Sequence, residues 1–350
     1  MKRKYNMKKL CIVGHFGYGE NLLNGQTIKT KIVTEELQKQ SGKDEVVTID
    51  THGGMKALPK IIVELKQAFQ ECSNIIIMPA HNGIKIFVPL CCFFQKIYKR
   101  RLHYVVIGGW LPKFLGDKKR LEKLLKSFYG IYVETVTMKQ ALEEKGFQNI
   151  YILPNFKPIK ILSEDELVFS TDIPYKVCTF SRVMKEKGIE DAVEAIKRIN
   201  EKYRKTIYEL DIYGQIDEEQ KQWFAELEEK FPAYVNYKGQ VPYDQSTLVL
   251  KDYFVLLFPT RFYTEGIPGT ILDAYAAGIP VVSSRWESFG DIVDDGETGI
   301  GYEWNNPEEM EKVLIMLMQK PEAAKDMKLR CIKKAHEYEP QKVIAKIELA

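Results

Sequence analysis

Glu265 and Asp273 stand eight residues apart in the stretch 265–282, EGIPGTILDAYAAGIPVV, around a turn rich in glycine and proline. The apolar run 253–259 before them reads as a buried parallel strand, and Pro268 falls where a helix begins. Proline is tolerated there because first-turn amides have no helical partner. The unpaired N–H groups around Gly269, Thr270 and Leu272, with the positive end of the helix dipole, favour an anion beyond the strand's carboxyl end. Further upstream the strand 177–180 runs into SRVMKEKGIEDAVEAI, where Arg182 and Lys187 flank a turn closed by Gly188. A planar guanidinium fork and a mobile ammonium are the usual pair for a diphosphate. Two cations and one helix N-terminus can thus converge on one phosphate group and stabilise charge developing on it.

In Ser181, Arg182, Lys187 and Gly188, in 265–273 with Ala274, and in the run VVSSRWESFGDIVDDGETGIGY of 281–302, the chain resembles glycosyltransferase family 4. These are retaining enzymes of the GT-B fold that use nucleotide-sugar donors, and the resemblance extends from Leu10 to about Tyr338. It implies an α/β protein of two Rossmann-like domains whose parallel sheets face each other across a cleft. Within it, Ser181, Gly266, Ile267, Pro268, Gly269, Thr270 and Asp273 would line the donor site. Gly214 ends one strand and YKGQVP (237–242) ends another, and the family's habit of reading the base through backbone after such a glycine points to Gln240 or Val241. From the first domain the resemblance implies contacts by Gly25 and Gln26, a hydrogen bond from His81 to the transferred sugar, and a subsidiary role for Asn155. One departure stands out: the family has glutamate at both ends of its E-x7-E motif, and here the second is Asp273, one methylene shorter.

The mechanism the resemblance implies is front-face transfer, in which the departing phosphate oxygen helps deprotonate the acceptor hydroxyl. Glu265 would bind sugar hydroxyls and position the anomeric carbon, rather than attack it as in retaining glycosidases. No D-x-D pair is present to carry a divalent cation, so Arg182, Lys187 and the helix N-terminus would neutralise the leaving group, and the expectation is neither metal nor cofactor. The expected activity is transfer of a hexose from a UDP-sugar to a saccharide or lipid-linked oligosaccharide in cell-surface polysaccharide biosynthesis. A GT-B nucleotide-sugar epimerase or hydrolase, or a non-catalytic sugar-nucleotide-binding subunit, would carry the same nucleotide site.

The elements that must position these residues are legible as an alternation. Strands are expected at 10–13, 46–49, 75–78, 104–107, 130–134 and 150–153, then at 176–180, 208–213, 235–238, 253–258 and 281–283. Helical patterns such as 27–40, 118–128, 137–145, 189–203 and 218–231 lie between them. Such alternation means parallel sheets covered on both faces, with ligands beyond the strands' carboxyl ends. The glycine-bearing loop 14–27 follows the first strand, His81 follows the third, and Gly108 and Gly109 with Trp110 follow the fourth.

At 350 residues the chain is long for one core and suits two. Residues 1–158 hold 26 Lys and Arg against 13 Asp and Glu (+13), while 159–350 hold 25 against 35 (−10). Charge and the PNFKP segment therefore set a boundary at 158/159, with a first domain of 1–158 completed by a C-terminal helix of about 335–350, and a second of 159–334. The aromatic-plus-arginine pattern of RNA-binding modules is absent, and no nucleic acid is expected. The stretch 84–101, IKIFVPLCCFFQKIYKRR, sets apolar residues before a basic cluster and suits peripheral contact with an anionic membrane. No run is long enough to span a bilayer, and the basic N-terminus passes straight into a strand pattern, so the expected location is the cytoplasm, up to the inner face of the cell membrane. Six scattered cysteines and five dispersed histidines give no metal-ligand spacing.

Overall fold

A computed structural model describes residues 8–20 and 25–349. The basic residues 1–7 and part of the glycine loop, 21–24, lie outside them. The chain divides into two compact units: residues up to Asn155 together with those from Pro340 onward, and Phe156–Glu339. The break thus falls just before the PNFKP lysine rather than after it. Residues 335–339, assigned by sequence to the first domain, belong to the second unit, because Glu322–Ala335 and the short turn His336–Tyr338 pack with it, while the short helix Pro340–Ile344 packs on the first.

In the first unit six strands, β1 (Lys8–Gly14), β2 (Val46–Asp50), β3 (Cys72–Ile77), β4 (Arg101–Val105), β5 (Gly130–Val133) and β6 (Ile150–Ile152), form a parallel sheet in the order β2-β1-β3-β4-β5-β6. The helices α1 (Gly25–Ser41), α2 (Gly54–Glu71) and α3 (His81–Tyr98) make the first crossovers. The second unit repeats the plan with β7 (Tyr175–Phe180), β8 (Tyr208–Tyr213), β9 (Val235–Gly239), β10 (Val255–Phe258), β11 (Val281–Ser284) and β12 (Gly299–Tyr302), ordered β12-β11-β10-β7-β8-β9. Central strands such as β5, β10 and β11 are buried at every position, because helices cover both faces. The edge strand β9 alternates instead, with Asn236 and Lys238 exposed. Along β7 and β10 successive residues serve opposite cores: Val177, Val255 and Leu257 join one cluster, and Cys178, Leu256 and Phe258 the other.

Each sheet reverses its strand order once, between β1 and β3 in the first unit and between β7 and β10 in the second. At such a switch point the two connections leave in opposite directions, and a crevice opens beyond the strands' carboxyl ends. The segments after β1, β3, β7 and β10 carry most of the candidate residues, and those after β8 and β9 carry Gly214, Gln240 and Val241. β12, GIGY, lacked a β-branched run and was not expected as a strand; it is held by pairing with β11 from Val281↔Gly299 to Ser284↔Tyr302. All six cysteines are buried and unpaired. His103 is sealed in the first core between Asn74 and Tyr132, and burial, then the Arg101 charge, lower its pKa to about 4, so it is neutral.

Candidate functional site

In the second unit the chain after β7 turns through Lys185–Lys187 and enters the helix Ile189–Tyr203 at Gly188, whose φ is +68°. A Cβ at Gly188 would run into the carbonyl of Pro259, the residue just beyond β10. Only glycine permits this approach, and the approach brings Lys187 against the segment that carries Glu265. The Arg261 N–H donates to the Glu186 carbonyl at 2.8 Å, fastening the two connections together. The result is a direct ion pair between Lys187 Nζ and Glu265 Oε1, with both side chains about one-sixth exposed (16% and 17%). The Thr260 hydroxyl donates to the same oxygen at 3.4 Å, and the ammonium lies 5.0 Å from the Phe262 ring centroid. Low exposure and aromatic walls strengthen the electrostatics of this pair relative to a surface one.

Arg182 is more open: its guanidinium is 3.5 Å from Asp217 and its side chain is 55% exposed, leaving donors for an anion. Gly214, at φ +138°, packs on the Ser181 carbonyl where a Cβ would collide, so the ends of β7 and β8 lie side by side. Gly214 N–H also donates to the Gly239 carbonyl at 2.9 Å, which places exposed Gln240 and half-buried Val241 at the same end of the sheet. The helix Gly269–Ala276 begins after Pro268, which occupies the cap position rather than the first turn. Gly266 and Ile267 are buried, and the buried hydroxyl oxygen of Thr270 has no hydrogen-bond partner among the described residues. Of the sequence candidates, the fold therefore brings Ser181, Arg182, Lys187, Gly214, Gln240, Val241 and Glu265 to the carboxyl ends of the strands of one sheet, with the Gly269–Ala276 helix starting there.

Asp273 is the exception. Its side chain is 4% exposed, and Lys157 Nζ donates to both carboxylate oxygens at 2.7 and 2.6 Å while the Ser246 hydroxyl donates at 2.8 Å. Burial pushes this carboxyl up, and the Lys157 charge and the hydrogen bonds pull the other way. Asp273 is thus turned inward, onto the lysine just after the chain leaves the first unit, rather than standing open beside Glu265. Lys157, Ser246, Thr260 and Asp217 carried no motif and were not expected.

The first unit presents its candidates at its own switch point. Gln26, in the first turn of α1, donates to the Met78 carbonyl at 3.3 Å, joining the segments after β1 and β3, and a Cβ at Gly25, the first residue of α1, would meet no neighbour among the described residues. His81 is the first residue of α3 and stacks on Trp110 with ring centroids 3.9 Å apart, flanked edge-on by Phe114. Burial, then the nearby Lys85 charge, lower its pKa, which favours the neutral imidazole. Asn155 accepts a hydrogen bond at 3.0 Å from Lys29, whose full burial lowers its pKa to about 8 against the pull of Glu134.

Two histidines that look unrelated in sequence meet here. His15 Nδ1 is 2.7 Å from Thr27 Oγ1, His15 Nε2 is 3.2 Å from His52 Nδ1, and His52 Nε2 is 3.1 Å from Glu20. Asp50 ties the loop down by accepting the backbone N–H groups of Phe16, Tyr18 and His52. Burial would raise its pKa, but these donors outweigh burial and hold it low. Asp50 is thus occupied by its own loop. Among the described residues no group of three or more His, Cys, Asp and Glu is placed to hold a metal ion.

Residues 174–320 match the family described as Glycosyl transferases group 1. An uncharacterized glycosyltransferase of Methanocaldococcus jannaschii, MJ1069, is 23% identical over 233 residues, a match covering 63% of this chain and 55% of the relative. The alpha-monoglucosyldiacylglycerol synthase of Acholeplasma laidlawii is 31% identical over 144 residues, 41% of this chain and 34% of that protein. The chain thus spans about half or less of these curated relatives. Among solved structures, HepE of Anabaena in complex with UDP aligns with a TM-score of 0.75 over 96% of this chain and 97% of that one, at 12% identity, a likeness of fold.

Proposed function

We propose that the chain, whose residues 174–320 match the Glycosyl transferases group 1 family and whose fold is like that of HepE, is a retaining hexosyltransferase of the GT-B fold. It takes the sugar from a nucleotide diphosphate, UDP by preference, to a saccharide or lipid-linked oligosaccharide in cell-surface polysaccharide assembly. The observation that carries this reading is the Lys187–Glu265 pair beside Arg182, at the switch point of the second sheet and the start of a helix. Lys187 and Arg182 bind the diphosphate and stabilise the charge that grows on it as the glycosidic bond breaks. Glu265, released from Lys187 as the ammonium turns to phosphate, accepts hydrogen bonds from sugar hydroxyls. Within the first unit His81, whose neutral form is favoured, can donate a hydrogen bond to a saccharide, and Gly25 and Gln26 lie at the switch point of the same sheet.

The reading needs no metal ion, because the charge on the diphosphate is met by side chains and helix dipole. UDP should therefore raise the melting temperature of the purified protein by mass action, equally with and without EDTA. A shift abolished by EDTA would overturn the metal-free site, and no shift with UDP, GDP, ADP, CMP or dTDP would overturn the donor site itself. The HepE complex with UDP supports a UDP-sugar donor.

A peripheral contact with anionic membrane belongs to the same proposal, on a surface different from the expected basic cluster. Arg100 is spent on the Phe69 and Gln70 carbonyls at the end of α2, and Arg101 lies over the Tyr129 ring, so of that cluster Lys99 faces solvent most freely. What α3 offers instead is an apolar stripe along its outer side: Ile86, Leu90, Phe93 (59% exposed) and Ile97 (56%) recur at helical spacing, with Lys85, Lys96 and Lys99 beside them. α2 exposes Met55, Ile62 and Val63 as well. Among the described residues no helix is long and apolar enough to cross a membrane. Apolar contact with flanking lysines suits an anionic headgroup interface. Phe93→Ser with Ile97→Ser is expected to reduce sedimentation with phosphatidylglycerol vesicles several-fold while leaving UDP binding intact; unchanged sedimentation would retire this contact.

A further inference from the structure

The second unit holds a cavity of about 220 Å³ away from the carboxyl ends of its strands, beside the first residue of β7 and the residues just before β10. Its walls include Phe169, Tyr175 and Phe254, the last two stacked at 4.5 Å, and Lys328 from the helix Glu322–Ala335. Lys328 is 3% exposed. Its ammonium makes one hydrogen bond among the described residues, a long one of 3.4 Å to the Gly278 carbonyl, and no carboxylate lies within ion-pair distance. Three N–H donors on a buried cation call for more than that, since an under-bonded buried charge is costly. Burial lowers its pKa to about 8, with Cys331 and Asp252 opposing.

The other charged groups around the cavity define what fits. Lys176 is exposed. Asp172 already accepts the Ser170 hydroxyl at 2.9 Å. Asp252 is exposed, lines the same cavity and takes part in no ion pair or side-chain hydrogen bond among the described residues. A buried cation and an exposed carboxylate thus border one space without touching, and an amphoteric or hydroxylated anion would satisfy both.

We propose that this cavity is a second ligand site, distinct from the donor site, for a small metabolite with a carboxylate or phosphate at one end and hydroxyl or ammonium donors at the other. The anionic group sits on Lys328, the donors face Asp252, and the carbon skeleton lies against Phe169 and the Tyr175–Phe254 stack. The proposal is independent of the reaction at Glu265, because cavity and ion pair share no residue.

The test uses the whole chain with two probes, glycerol 3-phosphate for a phosphate head and L-serine for a carboxylate head, against wild type and Lys328→Met. One probe is expected to raise the wild-type melting temperature by a few degrees, and which one names the head group. Lys328→Met is expected to melt at or above the wild-type temperature without ligand, since an under-bonded buried ammonium is gone, and to show no shift with either probe. Equal shifts in the two proteins, or none with either probe in wild type, overturn the proposal. A second measurement needs no variant: acylation of Lys328 by an amine reagent, read by peptide mass, must be suppressed by the same probe, and unchanged labelling under saturating probe overturns the assignment.

Discussion

Lys187→Met is expected to lower the rate of sugar transfer on the order of 10²–10³-fold, the usual loss when one preorganised donor to a developing oxyanion is removed. The ammonium is part-buried and paired with Glu265, so its removal does two things. It takes away charge that the leaving diphosphate needs, and it leaves the Glu265 carboxylate uncompensated beside that phosphate. Glu265→Gln removes the second effect. The double variant Lys187→Met/Glu265→Gln should therefore regain most of the melting temperature lost by Lys187→Met, because a neutral pair replaces an orphaned charge, yet remain as slow as Lys187→Met. This separation decides between roles: if the pair merely held β7 and β10 together, restoring stability would restore rate. Recovery of wild-type kcat by the double variant would end the assignment of Lys187 to the leaving group.

That Lys187 and Glu265 can be found in the sequence at all follows from local constraints. Gly188 must accept a positive φ next to the Pro259 carbonyl, and glycine, proline and an apolar strand mark both turns before any contact is known. Central strands such as β10 and β11 are equally legible, being short apolar runs bounded by turn residues. What is illegible depends on pairs far apart in the chain. His15 meets His52 across the ends of β1 and β2, and Lys157 meets Asp273 over a separation of 116 residues. Neither pair has a spacing that singles it out. α3 was visible as an apolar stretch with a basic end, but which of its cations are spent on backbone carbonyls and rings depends on where α2 ends and where Tyr129 lies. The motif spacing likewise put Asp273 near the anion site, and only the packing reveals that its shorter side chain turns inward.

The inward turn of Asp273 carries the largest expected change in stability. Lys157 gives two short hydrogen bonds to a carboxylate that is 4% exposed, with its own side chain 20% exposed, and Ser246 completes the acceptor's partners. Removing one member of such a pair strands the other in low dielectric, which costs about 3–5 kcal/mol in buried cases. The partial exposure of Lys157 puts Lys157→Met toward the lower end of that range, and for a unit of this size the fall in melting temperature is on the order of 10 °C. Lys157→Met/Asp273→Leu replaces the pair by apolar groups of similar bulk and should return close to wild-type stability, offset by the unpaired Ser246 hydroxyl. The same double variant discriminates the two roles open to Asp273. As an internal ion pair it can be replaced with UDP affinity kept within a few-fold, whereas a carboxylate that leaves Lys157 to bind the donor nucleotide cannot, and affinity would fall with the loss of a charged hydrogen bond worth about 1.5–3 kcal/mol, or roughly 10–100-fold. Titration of UDP into this variant by calorimetry measures the difference directly. Retained affinity fixes Asp273 as the anchor that holds the Gly269–Ala276 helix to the start of the second unit, and a loss of that size returns it to the donor site.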